Sequence, residues 1–595
     1  MKKLYLIIIF FGVLCLCFPL NIFAKDYYID QEKGDNENDG KFEVPWKTLE
    51  KANNILNAGD TVYLRAGKYS FQSINPKNSG KINSYITYSN YKDEKVILFG
   101  GRAPLNIIEK NYIKIKGIKF YQPDDRWGVI KYSNHVIIED CLFDKYVGGK
   151  YYSAYRIVSS EYINHIRCSW TQKDQTADEE HEMISWNKMR HSFFYNCYFG
   201  DATHASIGVI KGQDGEAANP DGDYNAWINC FFNNRWHSAH GTGEAFSGNK
   251  RIIVQGCFFY DVGSLNHNEP LLRSRGKGIH PALYIKTLES IYRENIFYRN
   301  DISIVIRPVL GSDKGLFNWI YNNTVYGSDA NDSNREIGTS DSSNASGVHV
   351  YSESGSNNDP DDFLLNKIRL INNIFYKAEG DSKGRHFRVY NMFGGKHGYG
   401  NIIEKNLFGD PVNKNVGGQW WKGQFETISY LDRYNSDEWN ENAFLANKDP
   451  KIYDPDNKNI SIKKRFSLSG DSPAIDVGRY ITKTDGRGEN SNKMKCDEVT
   501  WAFSGAHNPW KIDYPGISSD FIYFQKSDGD WIEREIIGID YVNNIIVLSL
   551  PASWKNDTLI FYKKFSGSGP DLGAIEFNTL SSPTNLKLLN PAELN

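Results

Sequence analysis

Four histidines share one position in a recurring segment, and their side chains are the best suited to chemistry. The chain has 13 histidines in 595 residues. Four segments of similar pattern (HEMISW, HASIGV, HSAHGT and HPALYI) begin at His181, His204, His237 and His280. Imidazole gains and loses a proton near neutral pH, so a row of histidines is typical of acid–base chemistry. We predict that these side chains lie at corresponding corners of adjacent structural units.

The sequence around these histidines is locally basic and contains the longest insertions. KGQDGEAANPDGD follows the His204 segment, and GSLNHNEPLLRSRGKGI precedes the His280 segment. Loops of this kind form the walls of a groove, and basic side chains in it favour acidic sugars. Elimination at a uronic-acid sugar needs a cation on the carboxylate, a base for the C5 proton and an acid for the departing oxygen. The predicted catalytic residues are His204, His237, His280 and Arg273, and the predicted substrate-binding residues are Trp236, Glu244, Lys286 and Arg307.

Three other interpretations of these residues stay open. Stacked histidines at corners can be purely structural, with hydrogen bonds from one unit to the next. Histidines of two or three units could bind a metal ion together with Glu244, although His237 and His240 are three residues apart and same-face positions on a strand differ by two. A hydrolase would instead use two carboxylates. The acids available for such a pair are Glu179, Glu180, Glu182, Glu244 and Glu269.

Calcium is the one cofactor that the sequence leaves open. DNENDG at Asp35 has the acidic character of a calcium loop. It lacks the glutamate at the twelfth position that completes an EF-hand loop, which favours a simple turn. We therefore assign no metal ligand from the sequence.

A short phrase repeats between residues 113 and 410 and indicates which elements position the histidines. In nearly every copy, an aromatic residue stands two residues after a position that is usually apolar or a cysteine. That position is filled by Ile118, Cys141, Cys168, Cys197, Cys230, Cys257, Ile296, Thr324, Ile374 and Leu407. The units are β-rich and punctuated by Asn and Gly, which predicts a parallel β-helix of about ten coils over residues 105–410. Longer spacings would be loops, and Asn side chains would form an internal ladder.

Five of the eight cysteines occupy this repeat position. Adjacent coils of a β-helix are about 4.8 Å apart, so inward thiols in one column pack as small apolar groups. No CxxC pair suggests zinc. We predict one buried column of free thiols instead of disulfides.

The first residues and the overall charge limit the compartment and the partners. Lys2 and Lys3 precede an apolar run, and IFA ends at Ala24, which is typical of a secretory signal. Cys15 and Cys17 each follow a leucine, which disfavours a lipoprotein signal. The formal net charge of −3 becomes −5 without this segment, so the chain lacks the positive field of a nucleic-acid-binding protein. We expect a secreted or periplasmic monomer with no membrane span after signal removal.

The N-terminal part resembles a known class of proteins. YYIDQEKGDNENDGKFEVPWKTLEKANNILNAGDTVYLRAGKY (residues 27–69) is similar to the opening of bacterial secreted right-handed parallel β-helix proteins, among them pectate, alginate and chondroitin lyases. DSPAIDVG at Asp471 and GPDLGAIEF at Gly569 resemble their closing motifs. The resemblance implies that PWKTLEKANNIL is a helix that caps the core and that GDTVYLRAG is the first strand. These motifs mark the fold and carry no chemistry.

The resemblance does not extend to known catalytic patterns. The calcium-binding aspartates and catalytic lysine of pectate lyases have no convincing match here, nor do the clustered aspartates of polygalacturonase-type hydrolases. Function is therefore predicted from the histidine segments and the basic loops. The expected protein is a polysaccharide lyase that acts on uronic-acid polymers in a groove on the β-helix. The alternatives are a glycoside hydrolase or an epimerase on the same fold, or a non-catalytic carbohydrate-binding or surface protein.

The predicted organisation has four parts. A signal peptide occupies residues 1–24, the cap and first coils 25–112, the central β-helix 113–410 and a C-terminal region 411–595. Short alternating strands within this last region predict an inserted β module at about residues 515–565.

Overall fold

The structure is a computed structural model that describes most of the chain. The described residues are 24–145, 153–171, 182–200, 207–209, 222–233, 240–241, 249–262, 281–300, 302–306, 317–327, 346–351, 368–376, 385–390, 402–409, 417–421, 424–427, 444–446, 448–504, 519–562 and 564–577.

Each complete coil contributes one strand to each of three long sheets, and strands within a sheet are parallel. The first sheet has thirteen strands among the described residues: Asp26–Ile29, Thr61–Leu64, Ile86–Asn90, Asn111–Lys116, Asn134–Glu139, Glu161–Ile166, Phe193–Tyr195, Ala226–Ile228, Ile253–Gln255, Ile291–Arg293, Trp319–Tyr321, Arg369–Ile371 and Ile402–Glu404. The second sheet has thirteen in the same part of the chain: Gly67–Ser70, Val96–Phe99, Ile118–Tyr121, Leu142–Asp144, Ser169–Thr171, Tyr198–Phe199, Phe231–Phe232, Phe258–Tyr260, Ile296–Tyr298, Thr324–Tyr326, Ile374–Tyr376, Asn406–Gly409 and Phe444–Ala446.

The third sheet has twelve described strands, and its last pair is antiparallel. They are Leu105–Ile108, Gly128–Lys131, Ser153–Val158, Glu182–Asn187, Ile207–Val209, His240–Gly241, Pro281–Ile285, Ile302–Ile306, Ser346–Tyr351, Arg385–Tyr390, Gly417–Trp421 and Gln424–Thr427. The predicted parallel β-helix is confirmed. One correction concerns its start: Asp26–Ile29 precedes Thr61–Leu64, which was predicted as the first strand.

A short corner joins the first and second sheets. In the coils from Cys141 to Asn373 it consists of two residues, and the first of them has a positive φ, as at Asp140 (53°) and Asn196 (51°). This left-handed conformation turns the backbone sharply enough to start a new sheet. The second residue of the corner is buried, and these residues form one column along the helix axis. The column contains Ile118, Cys141, Cys168, Cys197, Cys230, Cys257, Asn295, Asn323, Asn373 and Asn406.

The cysteine half of this column confirms the predicted thiol stack. All five cysteines are free and no more than 2% exposed. Each thiol lies near a backbone carbonyl of the preceding coil; for example, Cys168 Sγ donates to Ile138 O at 3.3 Å. Burial raises the pKa of the Cys168 and Cys230 thiols well above the ordinary value, so these side chains stay protonated.

The asparagine half corrects the predicted register. Phe258 pairs with Ile296, so Cys257 aligns with Asn295 and not with Ile296. Thr324, Ile374 and Leu407 are displaced by one residue in the same way. The asparagine amides form the predicted ladder: Asn295 Nδ2 donates to Asn323 Oδ1 at 3.0 Å, and Asn323 Nδ2 donates to Asn373 Oδ1 at 2.9 Å. Asn196 and Asn229, in contrast, are the left-handed corner residues and lie outside this ladder.

An aromatic stack accounts for the second part of the repeated phrase. The residue two positions after each ladder position points into the core of the helix, where rings of adjacent coils stack. Phe143 and Trp170 have ring centroids 5.1 Å apart, and Phe199 and Phe232 are 4.7 Å apart. Stacked rings bury a large apolar area and fix the axial register of the coils.

A short helix, Leu49–Ile55, packs against the N-terminal end of this core. Thr48 is its N-cap and accepts a hydrogen bond from the backbone N–H of Lys51. Leu49, Ala52 and Leu56 belong to the main core cluster. The predicted capping helix is thus confirmed. DNENDG at Asp35 lies in a segment of turns, as favoured by its sequence.

The C-terminal part forms further elements. A four-stranded antiparallel sheet contains Gly488–Lys495, Phe521–Gln525, Trp531–Asp540 and Ile545–Trp554, and a two-stranded ribbon pairs Thr482–Lys483 with Leu559–Ile560. The larger sheet thus takes in a strand upstream of the predicted 515–565 span. A second short helix is Ile462–Arg465. Among the described residues we find no helix with the length and hydropathy needed to span a membrane.

Candidate functional site

Over the central coils, the outer face of the first sheet is apolar and covered. Outward residues such as Phe193, Ile228 and Ile253 form one cluster with residues of the C-terminal region, including Trp501 and Ile522. The contact includes a buried ion pair, in which the Arg293 guanidinium donates to the Asp520 carboxylate at 2.5 and 3.0 Å. In these coils the face is occupied by the chain itself.

The outer face of the second sheet is covered in the same way over its central coils. Tyr198, Phe258 and Tyr326 pack with Phe466 and Leu572 of the C-terminal segment. The two predicted closing motifs meet here: Ala474 O accepts from Leu572 N at 2.9 Å, and Asp571 Oδ1 accepts from Asp476 N at 2.9 Å.

The outer face of the third sheet differs because several of its outward residues are polar, alongside apolar ones such as Val158 and Val305. Strand neighbours alternate between faces, and Tyr155, Ile157, Ile184, Trp186, Leu283 and Ile285 belong to the core. The residues between or directly after them therefore point outward. They include Arg156, Ser185, Asn187, Tyr284 and Lys286.

These outward polar side chains are recessed. Arg156 is 6% exposed, Asn187 8%, and Ser185 and Lys286 1% each. Arg156 and Lys286 both have interactions within the protein, as the burial of a charge requires. We name this set of five residues, from Arg156 to Lys286, the polar floor.

Between residues 105 and 409, the long connections between strands adjoin the third sheet. Whereas two residues usually suffice between the first and second sheets, residues 261–280 separate a second-sheet strand from the third-sheet strand at Pro281. Residues 327–345 precede the strand at Ser346, and residues 352–368 follow its end at Tyr351. In this part of the chain, the extra length therefore lies next to third-sheet strands.

The strand register agrees with the alignment of the four histidine segments. Ile184 pairs with Ile207, Ile207 pairs with His240, and His240 pairs with Leu283. Each of these residues is the third after the histidine that opens its segment. The sequence alignment of the segments is thus the alignment of the strands.

Most of the predicted site residues lie outside the described residues. They are His204, His237, His280, Arg273, Trp236, Glu244 and Arg307. Their roles stay predictions. Lys286 is described: it directly follows the strand Pro281–Ile285 and belongs to the polar floor.

The structure adds an acidic residue that the sequence analysis missed. Asp125 is 9% exposed and lies three residues before Gly128, which pairs with Leu105 and Tyr155 in the third sheet. This is the offset of the four histidines. Asp125 Oδ2 accepts from Arg102 Nε at 3.1 Å, while its other oxygen, Oδ1, has no hydrogen-bond partner among the described residues. In the sequence, Asp125 belongs to PDDRWG, at the start of a strand. Its distance from the paired strand residue equals that of the histidine in HEMISW, and comparison of the two segments would have identified Asp125.

A histidine in the core shows the structural alternative. His165 is fully buried, its Nε2 lies 2.9 Å from Tyr155 Oη, and its ring stacks on Phe194 at 4.4 Å. Burial lowers the pKa of His165 to about 3, so it stays neutral and takes no part in acid–base chemistry near neutral pH. Within the described ranges, no three His, Cys, Asp or Glu side chains converge as a metal site.

Comparison with known proteins agrees with this architecture. Residues 27–180 match the family model described as "Pel9A-like, right handed beta helix region". An uncharacterized protein of Bacillus subtilis (strain 168), YwoF, is 33% identical over 103 residues, which is 16% of this chain and 22% of that protein.

Solved structures to which the chain is similar have low sequence identity to it. Pectate lyase Pel9A is 12% identical, with 93% of this chain and 96% of that chain covered and a TM-score of 0.36. The PL6 family polysaccharide lyase Pedsa3628 from Pseudopedobacter saltans is 15% identical, with 71% and 97% covered and a TM-score of 0.43. Likeness at this level says nothing about activity.

Three parallel sheets that share each coil define a parallel β-helix protein. The match over residues 27–180 is to a family model of a right-handed β-helix region, so this part of the chain resembles the β-helix of Pel9A-like proteins.

Proposed function

We propose that the chain is a secreted polysaccharide lyase that cleaves a uronic-acid polymer over the third sheet. The observation that carries this proposal is the contrast between the three outer faces. Over the central coils two are apolar and covered by the chain itself, whereas the third has a recessed polar floor that includes Arg156 and Lys286. Positive charge along one face of an otherwise acidic protein suits carboxylates that repeat along a polymer.

The proposed mechanism assigns each group one task. Arg273, together with Lys286 and Arg307, neutralises the sugar carboxylate and so acidifies the C5 proton. His204, His237 or His280 removes that proton, and a second histidine of the row protonates the departing oxygen. Trp236 stacks on a sugar ring, and Glu244 accepts hydroxyl hydrogen bonds from the substrate. Asp125 belongs to the same strand-entry position and extends the site toward the N-terminal coils.

The decisive experiment is a panel of acidic polysaccharides incubated with the protein without residues 1–24. Elimination gives an unsaturated uronic acid, which absorbs in the near ultraviolet. We expect this product from at least one polymer, and we expect His204→Ala, His280→Ala and Arg273→Ala each to lower turnover by on the order of 10²-fold, as for loss of a general acid or base. Trp236→Ala should mainly raise KM, because it holds the ring without moving protons.

The controls separate the competing functions. His135→Ala removes a half-buried histidine that stacks between Tyr112 and Tyr162 at another corner, so activity should be retained. New reducing ends without the unsaturated product would indicate a hydrolase, and altered uronate composition without cleavage an epimerase. Binding without either change would contradict catalysis.

A further inference from the structure

A second surface with the chemistry of an acidic-sugar site lies outside the proposed groove. It is on the outer face of the second sheet in the first coils, before the C-terminal segment begins to cover that face. Lys68, Phe71, Phe99, Lys119 and Tyr121 form it, and we name these five residues the N-terminal patch. In the register, Lys119 lies two strands from Lys68, and Phe99 pairs with Tyr121.

Phe71 is the unusual residue of this patch. It is 71% exposed, which is high for a large apolar side chain, and occupies a left-handed corner (φ 58°). Non-glycine residues adopt this conformation at many corners of the fold, so the backbone of Phe71 is ordinary here. The exposure of its side chain is what is unusual. The ring lies against Gly100 of the next coil, where an added Cβ would come within 3.0 Å of Phe71 Cε1. A glycine there leaves room for a ring that presents its other face to solvent.

Cations accompany the aromatic rings. Lys68 Nζ lies 3.4 Å from the centroid of the Phe99 ring, and Lys119 Nζ lies 4.7 Å from that of Tyr121. The acid on this face is Asp144, whose carboxylate is already bound by Lys119 at 2.9 Å and by the Thr171 hydroxyl at 2.8 Å. Lys68 has no carboxylate partner among the described residues, so its ammonium is available to an anion.

We propose that the N-terminal patch binds an anionic polysaccharide, with Phe71 stacked on a sugar ring and Lys68 paired with a carboxylate. Flat apolar rings suit the hydrophobic faces of sugars, and the ammonium adds a preference for uronic acids. Adjacent coils repeat about every 4.8 Å, a spacing comparable to the length of one sugar ring. The ligand class rests on the proposed function, but the surface lies on a different sheet and would retain polymer without cleaving it.

The test is affinity electrophoresis of the protein in gels that contain polygalacturonate, alginate or a neutral cellulose ether. We expect retardation in an acidic gel only, and we expect Phe71→Ala and Lys68→Gln each to weaken binding roughly tenfold, the loss of one good contact. Phe71→Trp should keep binding. The matched controls are Leu550→Ala and Lys458→Gln, which change an exposed leucine and an exposed lysine elsewhere and should leave mobility unchanged.

Several results would overturn the proposal. These are no retardation in any gel, equal retardation in the neutral gel, or equal retardation of Phe71→Ala and the wild type. A Phe71→Ala change that alters self-association in sedimentation and leaves polymer binding intact would assign the patch to a second copy of the chain. Unsaturated product is measured in parallel to keep the two proposals apart. If the protein cleaves the polymer but the patch variants bind it as well as the wild type does, only the proposed N-terminal patch is contradicted. If the gel retards the protein but no polymer is cleaved, only the proposed lyase activity is contradicted.

Discussion

At the scale of single residues, burial decides whether a histidine can do chemistry. His165 lies between Phe194 and Trp170 inside the coil, with one nitrogen against the Tyr155 hydroxyl. In the part of the chain that the structure describes, its Nδ1 has no hydrogen-bond partner. An imidazolium in this position would be a charge without solvent, so the native state resists protonation.

His165 should therefore make the protein sensitive to acid. The unfolded chain takes up a proton near the ordinary pKa of about 6.5, whereas the pKa in the folded state is about 3. A depressed pKa means that stability is lost as pH falls between these two values, by at most about 1.4 kcal/mol per pH unit. We expect urea unfolding of the His165→Phe, Tyr155→Phe double variant to show a shallower acid slope than the wild type. Tyr155→Phe alone keeps the imidazole and serves as the control; equal slopes in all three proteins would refute the assignment.

At the scale of elements, one column of the core changes its chemistry along the helix. Cysteines fill it from Cys141 to Cys257, and asparagines fill it from Asn295 onward. The two halves use equivalent acceptors. Cys257 Sγ donates to Trp227 O at 3.4 Å, and Asn295 Nδ2 donates to Val254 O at 2.9 Å. The thiol half adds packing and weak hydrogen bonds, while the amide half adds a continuous hydrogen-bond chain.

Substitution of Cys197 tests the packing of the thiol half. Cys197→Asp should unfold the surrounding coils, because an unpaired carboxylate would enter an apolar core. Cys197→Ser should cost about 1–3 kcal/mol, as for an imperfectly paired hydroxyl. Thermal or urea unfolding distinguishes the two. Equal tolerance of both substitutions would show that the position is exposed to water.

At the scale of the whole molecule, the C-terminal region covers two faces of the β-helix over its central coils. Arg293 is central to this cover. Its guanidinium donates to Asp520, Tyr321 and Gln255, and lies 4.2 Å from the centroid of the Tyr562 ring. Both charged residues are nearly inaccessible to solvent, with 2% and 3% side-chain exposure.

Removal of one partner of this pair should loosen the cover. We expect Arg293→Met to destabilise the protein by about 3–5 kcal/mol, because it leaves the Asp520 charge buried without a cation. The Arg293→Met, Asp520→Leu double variant should recover much of this loss, as replacement of both partners by apolar groups is often neutral. Urea unfolding and limited proteolysis between residues 480 and 560 are the measurements. A single variant as stable as the wild type would mean that the pair does not hold the sheet in place.

The repeat itself was predictable from the sequence. Every coil must pass the same core position, so cysteine, asparagine and aromatic residues recur there, and the fold and the thiol column follow from that recurrence. The capping helix and the strands Trp531–Asp540 and Ile545–Trp554 also have clear local patterns. The register beyond Cys257 was not predictable. In NIFYR, aromatic residues follow at two consecutive positions, so a slip of one residue leaves the pattern intact while it exchanges the two faces of the strand.

Only the tertiary structure decided which face of the β-helix is free. The sequence pattern is the same for an apolar face that meets solvent and for one that the C-terminal region covers, since both show outward apolar residues. Contacts between residues more than 100 positions apart, such as Arg293 with Asp520, made that distinction. The same holds for Asp125, whose place beside the histidine strands comes from pairing between coils. Local sequence determined the coil, and the packing of distant segments determined where a substrate can approach it.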